Sequence, residues 1–94
     1  MKTYLIQRNV PGVGQVTATE RKEISQRSCG VIEQLGNNQL QWIQSFITSD
    51  NIWCVYKAVS EEVLREHGRR GGFPVDNILE IHSIISPATA TAVI

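Results

Sequence analysis

Two runs rich in aromatic and β-branched residues, LQWIQSFIT (40–48) and IWCVYKAV (52–59), flank the short polar link Ser49-Asp50-Asn51. Runs of this kind joined by so brief a link form a β-hairpin. Helix signals stand on both sides of that hairpin. Upstream, Thr17-Ala18-Thr19-Glu20 has the form of a capping box. Ile24, Ser28, Val31, Ile32 and Leu35 then fall on one helical face, and Gly36-Asn37-Asn38 supplies the stop. Downstream, Ser60 is placed to cap a second helix. Glu61 and Glu62 occupy its first turn and Arg69 and Arg70 its last, the signs the helix dipole favours at each end. Gly71-Gly72 ends it. Outer strands are predicted at Thr3–Val10, before Pro11-Gly12, and at Ile78–Ile85, before Ser86-Pro87. The order β-α-β-β-α-β predicts an α+β domain of the ferredoxin-like plan: one four-stranded antiparallel sheet with two helices on one face. The expected domain is 1–87, and ATATAVI (88–94) is expected to be a C-terminal tail.

Composition narrows the function classes. Apolar residues make up 41% of the chain and charged residues 19%, a globular balance. Formal net charge is zero, so no strong field draws in nucleic acid or an anionic membrane, and neither is expected as a partner. The two cysteines, Cys29 and Cys54, form no CxxC pair, which excludes zinc-ribbon and thioredoxin readings. Near the N-terminus only Tyr4-Leu5-Ile6 runs apolar before Gln7 and Arg8, too short for the core of a signal peptide. No run is long enough to span a bilayer. The expected compartment is the cytoplasm, with both thiols reduced.

Strict alternation sorts strand residues onto two faces. It predicts Tyr4, Ile6, Ile43, Ile47, Cys54, Tyr56, Leu79 and Ile81 under the helices. The open face would then carry Leu5, Gln7, Trp42, Gln44, Phe46, Trp53, Val55, Lys57, Glu80 and His82. Two indoles, a phenyl ring and several aliphatics on an uncovered sheet exceed what a monomer comfortably exposes. The reading therefore predicts a homodimer joined through this face. Trp42, Gln44, Phe46, Trp53, Val55 and Lys57 form either the dimer face or the lining of a pocket for an unknown small molecule.

The segments Trp42–Thr48, Cys54-Val55-Tyr56, Arg65-Glu66-His67 and Gly71-Gly72-Phe73-Pro74 resemble a family of small bacterial domains of unknown function labelled nickel-binding-protein-like. Its members read W-x-x-S-Y-V-T-D-D, C-V-Y, R-E-H-A-R-x-G-G-F-P and I-x-D-P-T-T-A. The resemblance covers Tyr4 to Ala90 and implies a dimeric ferredoxin-like fold and, for some members, nickel as the bound ion. Two departures stand out. Gly68 replaces the alanine after the histidine, and Ser86 replaces the aspartate of the closing motif, which removes one carboxylate.

Four side chains are candidates for metal binding. Cys54 is expected to point from the sheet toward the stripe of the second helix that carries His67, and a thiol with an imidazole suits a borderline ion or an activated pair. Glu80 and His82, two residues apart on one strand, project together and suit two ligands of a surface ion. The plainer alternatives are a core Cys-His contact and a polar pair on the sheet. Three function classes follow: a dimeric metal-binding protein, a small-ligand enzyme of the dimeric α/β-barrel type, and an interaction module acting through its open face.

Overall fold

The computed structural model describes residues 1–93. Its strands are β1 (Lys2–Asn9), β2 (Leu40–Ile47), β3 (Asn51–Ala58) and β4 (Asn77–Ile81), and its helices are α1 (Ala18–Leu35) and α2 (Glu61–Gly71). The sheet runs β2-β3-β1-β4 with every neighbouring pair antiparallel, the order expected of a ferredoxin-like sheet. Short 3-10 turns lie at Val13–Gln15 and Pro87–Thr91.

The helix signals operate as expected. Thr17 Oγ1 accepts from the Glu20 amide at 3.1 Å, and the Glu20 carboxylate accepts from the Thr17 amide at 3.0 Å. Two of the first-turn amides of α1 thereby find partners. Ser60 Oγ accepts from the Val63 amide at 3.3 Å. In the last turn of α2, Glu66 accepts from both Arg69 and Arg70. Gly72 ends that helix at φ 71°, a left-handed conformation that favours glycine.

The core lies between the sheet and the helices. Ile6, Leu40 and Leu64 are fully enclosed there, with Tyr4, Ile32, Cys54, Tyr56 and Ala58 around them. At the other end the Val13–Gln15 turn lies close to the β2–β3 link. The Gly14 amide donates to Ser49 O at 3.0 Å, and a side chain at Gly14 would meet the backbone of Ser49.

Two face assignments differ from strict alternation. In β2, Trp42 pairs with Tyr56 but Gln44 pairs with Val55, so Ile43 is an extra residue in a β-bulge. The bulge turns Trp42 to the helix side and leaves Ile43 half exposed, the reverse of the expectation for both. Gln44 and Phe46 remain open and Ser45 and Ile47 stay under the helices, because the bulge resets the alternation. Trp42 Nε1 donates to Ser45 Oγ at 2.9 Å. Residues three apart on a regular strand face opposite ways, so this bond exists only because of the bulge.

In β4, Ile78 pairs with Ile6, Leu79 with Leu5 and Glu80 with Tyr4. Leu79 and Ile81 therefore lie on the open face and Glu80 on the helix side, inverting the expected assignment. The strand ends at Ile81, short of the predicted Ile85, so His82 lies beyond it. An edge strand leaves room for this: Glu80 keeps a third of its side chain in water and pairs with Lys2 Nζ at 3.5 Å. From His82 to Val93 the chain is exposed throughout. The final residue of the expected 88–94 tail, Ile94, lies outside the described residues.

Candidate functional site

Charged and polar side chains gather where the pattern of the sheet calls for apolar ones. Arg8 follows Tyr4 and Ile6 on the helix-facing side of β1 and is only 2% exposed. Ser28, the one small polar residue on the buried stripe of α1, stands above β3. His67, on the buried stripe of α2, is 0% exposed. Tyr56 of β3 joins them: Ser28 Oγ lies 3.0 Å from His67 Nε2 and 3.3 Å from the Tyr56 hydroxyl. Burying polar groups is tolerable when they answer one another, and this chain answers most of its members.

Two atoms remain unanswered. His67 Nδ1 and Arg8 Nη2 are buried without a hydrogen-bond partner. Arg8 Nη1 donates to Pro74 O at 2.9 Å. Phe73 organises the surroundings: its ring lies 5.4 Å from the Arg8 guanidinium, 4.8 Å from that of Arg27, and near-parallel to His67 at 5.7 Å. Close approach of Phe73 to α2 requires Gly71, because a side chain there would overlap the ring.

Electrostatics fix the protonation states. Burial, reinforced by the Arg8 charge and opposed by Ser28, pushes the His67 imidazole down to about 4. It is neutral at pH 7. Burial also raises the Tyr56 phenol, so its hydroxyl stays protonated. Two proton orders satisfy the chain. In one, Tyr56 donates to Ser28 and Ser28 donates to His67 Nε2. In the other, His67 Nε2–H donates to Ser28 and Ser28 to Tyr56.

Beside this polar wall lies a cavity of about 290 Å3 between the sheet and α1. Trp42, Ile24, Ile47 and Ile52 form its apolar part, and Arg8, Ser28, Cys54 and Tyr56 line it as well. Such a composition, mostly apolar with a few convergent polar groups, is that of a small-molecule pocket near the lower end of the usual size range. Trp42 belongs to this cavity rather than to the open face.

The four candidate metal ligands do not form one site. Among the described residues no group of three or more His, Cys, Asp and Glu side chains gathers. Cys54 is a buried free thiol on the cavity wall, and His67 spends Nε2 on Ser28. Glu80 and His82 do meet, with His82 Nδ1 3.5 Å from Glu80 Oε2, at the sheet edge. One chain thus offers two donors for an ion, which is half a site and not a closed one.

The open face presents Gln44, Phe46, Trp53, Val55 and Lys57 as expected, joined by Leu5, Leu79 and Ile81. Phe46 is 52% exposed and Leu79 50%. Among the described residues no helix is long and apolar enough to cross a membrane.

Sequence reasoning missed Arg8, Ser28 and Phe73 as site residues. Arg8 left a legible signal, an arginine at the third position of an otherwise apolar alternation (Tyr4, Ile6, Arg8). Phe73 left only its place in the Gly71-Gly72-Phe73-Pro74 segment, which does not tell its role, since that comes from contact with Arg8, Arg27 and His67.

Comparison with known proteins agrees with this architecture. The family model described as nickel responsive protein SCO4226-like matches residues 4–81. The crystal structure of SCO4226 from Streptomyces coelicolor A3(2) superposes with a TM-score of 0.73 at 17% identity, covering 88% of this chain and 99% of that one. At that identity the likeness establishes the fold alone. No curated protein matches the sequence.

Proposed function

Starting from the fact that the chain belongs to the nickel-responsive SCO4226-like family, we propose that it is a small-ligand-binding protein that works as a homodimer. The cavity between sheet and α1 is the ligand site. The observation that carries this reading is the set Arg8, Tyr56 and Ser28 lining a largely apolar cavity, with His67 bonded to Ser28 and one nitrogen each of Arg8 and His67 buried without a partner. Natural cores rarely leave such groups without a purpose. Native mass spectrometry of freshly purified protein is expected to show a retained organic mass that is lost in Ile24→Trp, which fills the cavity. A bare mass in both proteins, with no small molecule stabilising either, would end the reading.

The homodimer is supported by Leu5, Phe46, Trp53, Val55, Leu79 and Ile81 on the open face. A contiguous apolar sheet surface of this kind gains from being covered. At about 25 cal/mol per Å2 of apolar area, pairing two such faces offsets the cost of association. Sedimentation is expected to give twice the chain mass for the native protein and the single mass for Trp53→Glu. A native protein sedimenting as a single chain at micromolar concentration excludes the dimer.

A second reading is favoured by the family and by the Glu80–His82 pair. Nickel would be held at the sheet edge by that pair, with the remaining donors from solvent or a second copy. Cys54 and His67, which lie in the core, would take no part. Calorimetry of the metal-free protein with nickel is expected to give saturable heat that His82→Ala abolishes and His67→Ala leaves intact. The absence of heat at micromolar protein rules this site out.

A further inference from the structure

The polar wall of the cavity carries a charge that no acidic side chain among the described residues answers. The ion pairs among the described residues are Lys2 with Glu80, Arg69 and Arg70 with Glu66, and His82 with Glu80. Arg8 is in none of them. Its guanidinium cannot shed its proton, and burial denies it water. One nitrogen is held by Pro74 O and the face is covered by Phe73, yet Nη2 is free. The cavity that Arg8 lines contains a second arginine, Arg21, and no aspartate or glutamate. A pocket built only to hold a neutral hydrocarbon would gain nothing from two arginines and no acid.

We propose that the cavity takes an organic monocarboxylate with an apolar body, the carboxylate meeting the Arg8 side chain where it lines the cavity, beside the Tyr56 hydroxyl, and the body lying against Ile24, Ile52 and Trp42. This rests on the cavity's being the ligand site. Size sets the scale: 290 Å3 at about 30 Å3 per water-sized atom admits roughly ten non-hydrogen atoms. Charge sets the headgroup. Arg8 brings one unpaired nitrogen, and Arg21 already donates from Nη1 to Val16 O at 3.0 Å. A single negative charge is matched by the one unpaired guanidinium charge of Arg8 on the cavity lining. A phosphate dianion would bring more acceptors than this largely apolar wall can satisfy.

The test is isothermal calorimetry of the full chain with three probes: cinnamate, its neutral amide cinnamamide, and phenyl phosphate. Cinnamate is expected to bind at least about tenfold more tightly than cinnamamide, the effect of one charge-assisted hydrogen bond in a buried site. That preference should fall to about one in Arg8→Met, which keeps the length of the side chain but not its charge. Both probes should lose affinity in Ile24→Trp. Equal affinity for acid and amide in the native protein overturns the carboxylate proposal and leaves the cavity reading standing, and this arm needs no variant to fold. A preference that survives Arg8→Met, or tighter binding of phenyl phosphate than of cinnamate, overturns it too. Failure of both aromatic probes at millimolar concentration overturns the cavity reading itself.

Discussion

The two sides of the sheet break the usual distribution of residues in opposite senses. Beneath the helices, Arg8, Ser28 and His67 are enclosed where apolar side chains belong. On the other side, Phe46 and Leu79 stand half in water where polar ones belong. The covered side is well packed apart from the cavity, with Ile6, Leu40 and Leu64 fully enclosed, and it holds the polar groups in fixed geometry. The bare side sets its apolar residues among Gln7, Gln44 and Lys57 and has no fully buried polar side chain among the described residues. Each anomaly therefore underlies a different proposed partner: a small charged molecule inside, a large apolar surface outside. Stability and binding should separate along the same line.

The sharpest way to break this contrast is to cut one large apolar residue on each side. Leu64→Ala opens a cavity under α2 and is expected to cost about 3 kcal/mol, within the usual range for a buried leucine. Phe46→Ala on the bare side should leave the folding free energy of a dilute single chain within about 0.5 kcal/mol. Urea titrations followed by circular dichroism measure both. Similar losses at the two positions in a dilute single chain would show that the sides are not energetically distinct.

Acid should act on the covered side alone. His67 titrates near 4 in the folded protein and near its ordinary 6.5 when unfolded. Between those values the unfolded chain binds the extra proton, so stability is fully present above about pH 6.5 and declines as pH falls toward 4. The limiting slope is about 1.4 kcal/mol per pH unit. Thermal melts across that window should show the decline in the native protein and a flatter profile in His67→Gln. Equal slopes would mean that the imidazole is not held neutral by its burial.

Gly68 gives a smaller effect, from the seam between α2 and the Phe73–Val75 segment. A Cβ at this position would stand 2.8 Å from Val75 Cγ2 and 3.0 Å from Phe73 O. Gly68→Ala gains up to about 1 kcal/mol in helix propensity. The overlap outweighs that gain, because neither a branched valine nor a backbone carbonyl yields easily, and a net loss of about 1 kcal/mol is expected in a urea titration. The sequence pattern resembled by this chain has alanine here, so a tolerated substitution would show that the seam can widen. Smallest is the surface: removing the Glu66–Arg70 pair on α2 should leave the urea midpoint almost unchanged, as expected of a solvent-screened pair.

How much of the site was legible varied residue by residue. His67 and Cys54 could be placed toward the core because helical and strand periodicity are local properties. The pairing of His67 with Ser28 could not, since the two are 39 residues apart and meet only when α1 and α2 pack side by side. Trp42 was assigned to the wrong side because a single extra residue, Ile43, reverses the alternation, and nothing in WIQSF marks a bulge. Glu80 and Leu79 were exchanged for a related reason: β4 takes its register from β1, and an edge strand with polar and apolar residues on both faces carries a weak preference of its own.

The amino-acid order by itself determined the succession of elements, the two capped helices, the β2–β3 hairpin and the family, because caps, turns and short-range periodicity act within a few residues. Tertiary structure alone decided which side of the sheet Trp42 and Leu79 occupy, and that Arg8 has a cavity beside it and, among the described residues, no ion-pair partner. Those outcomes depend on strand register and on side chains brought together from distant parts of the chain, and no local pattern encodes them.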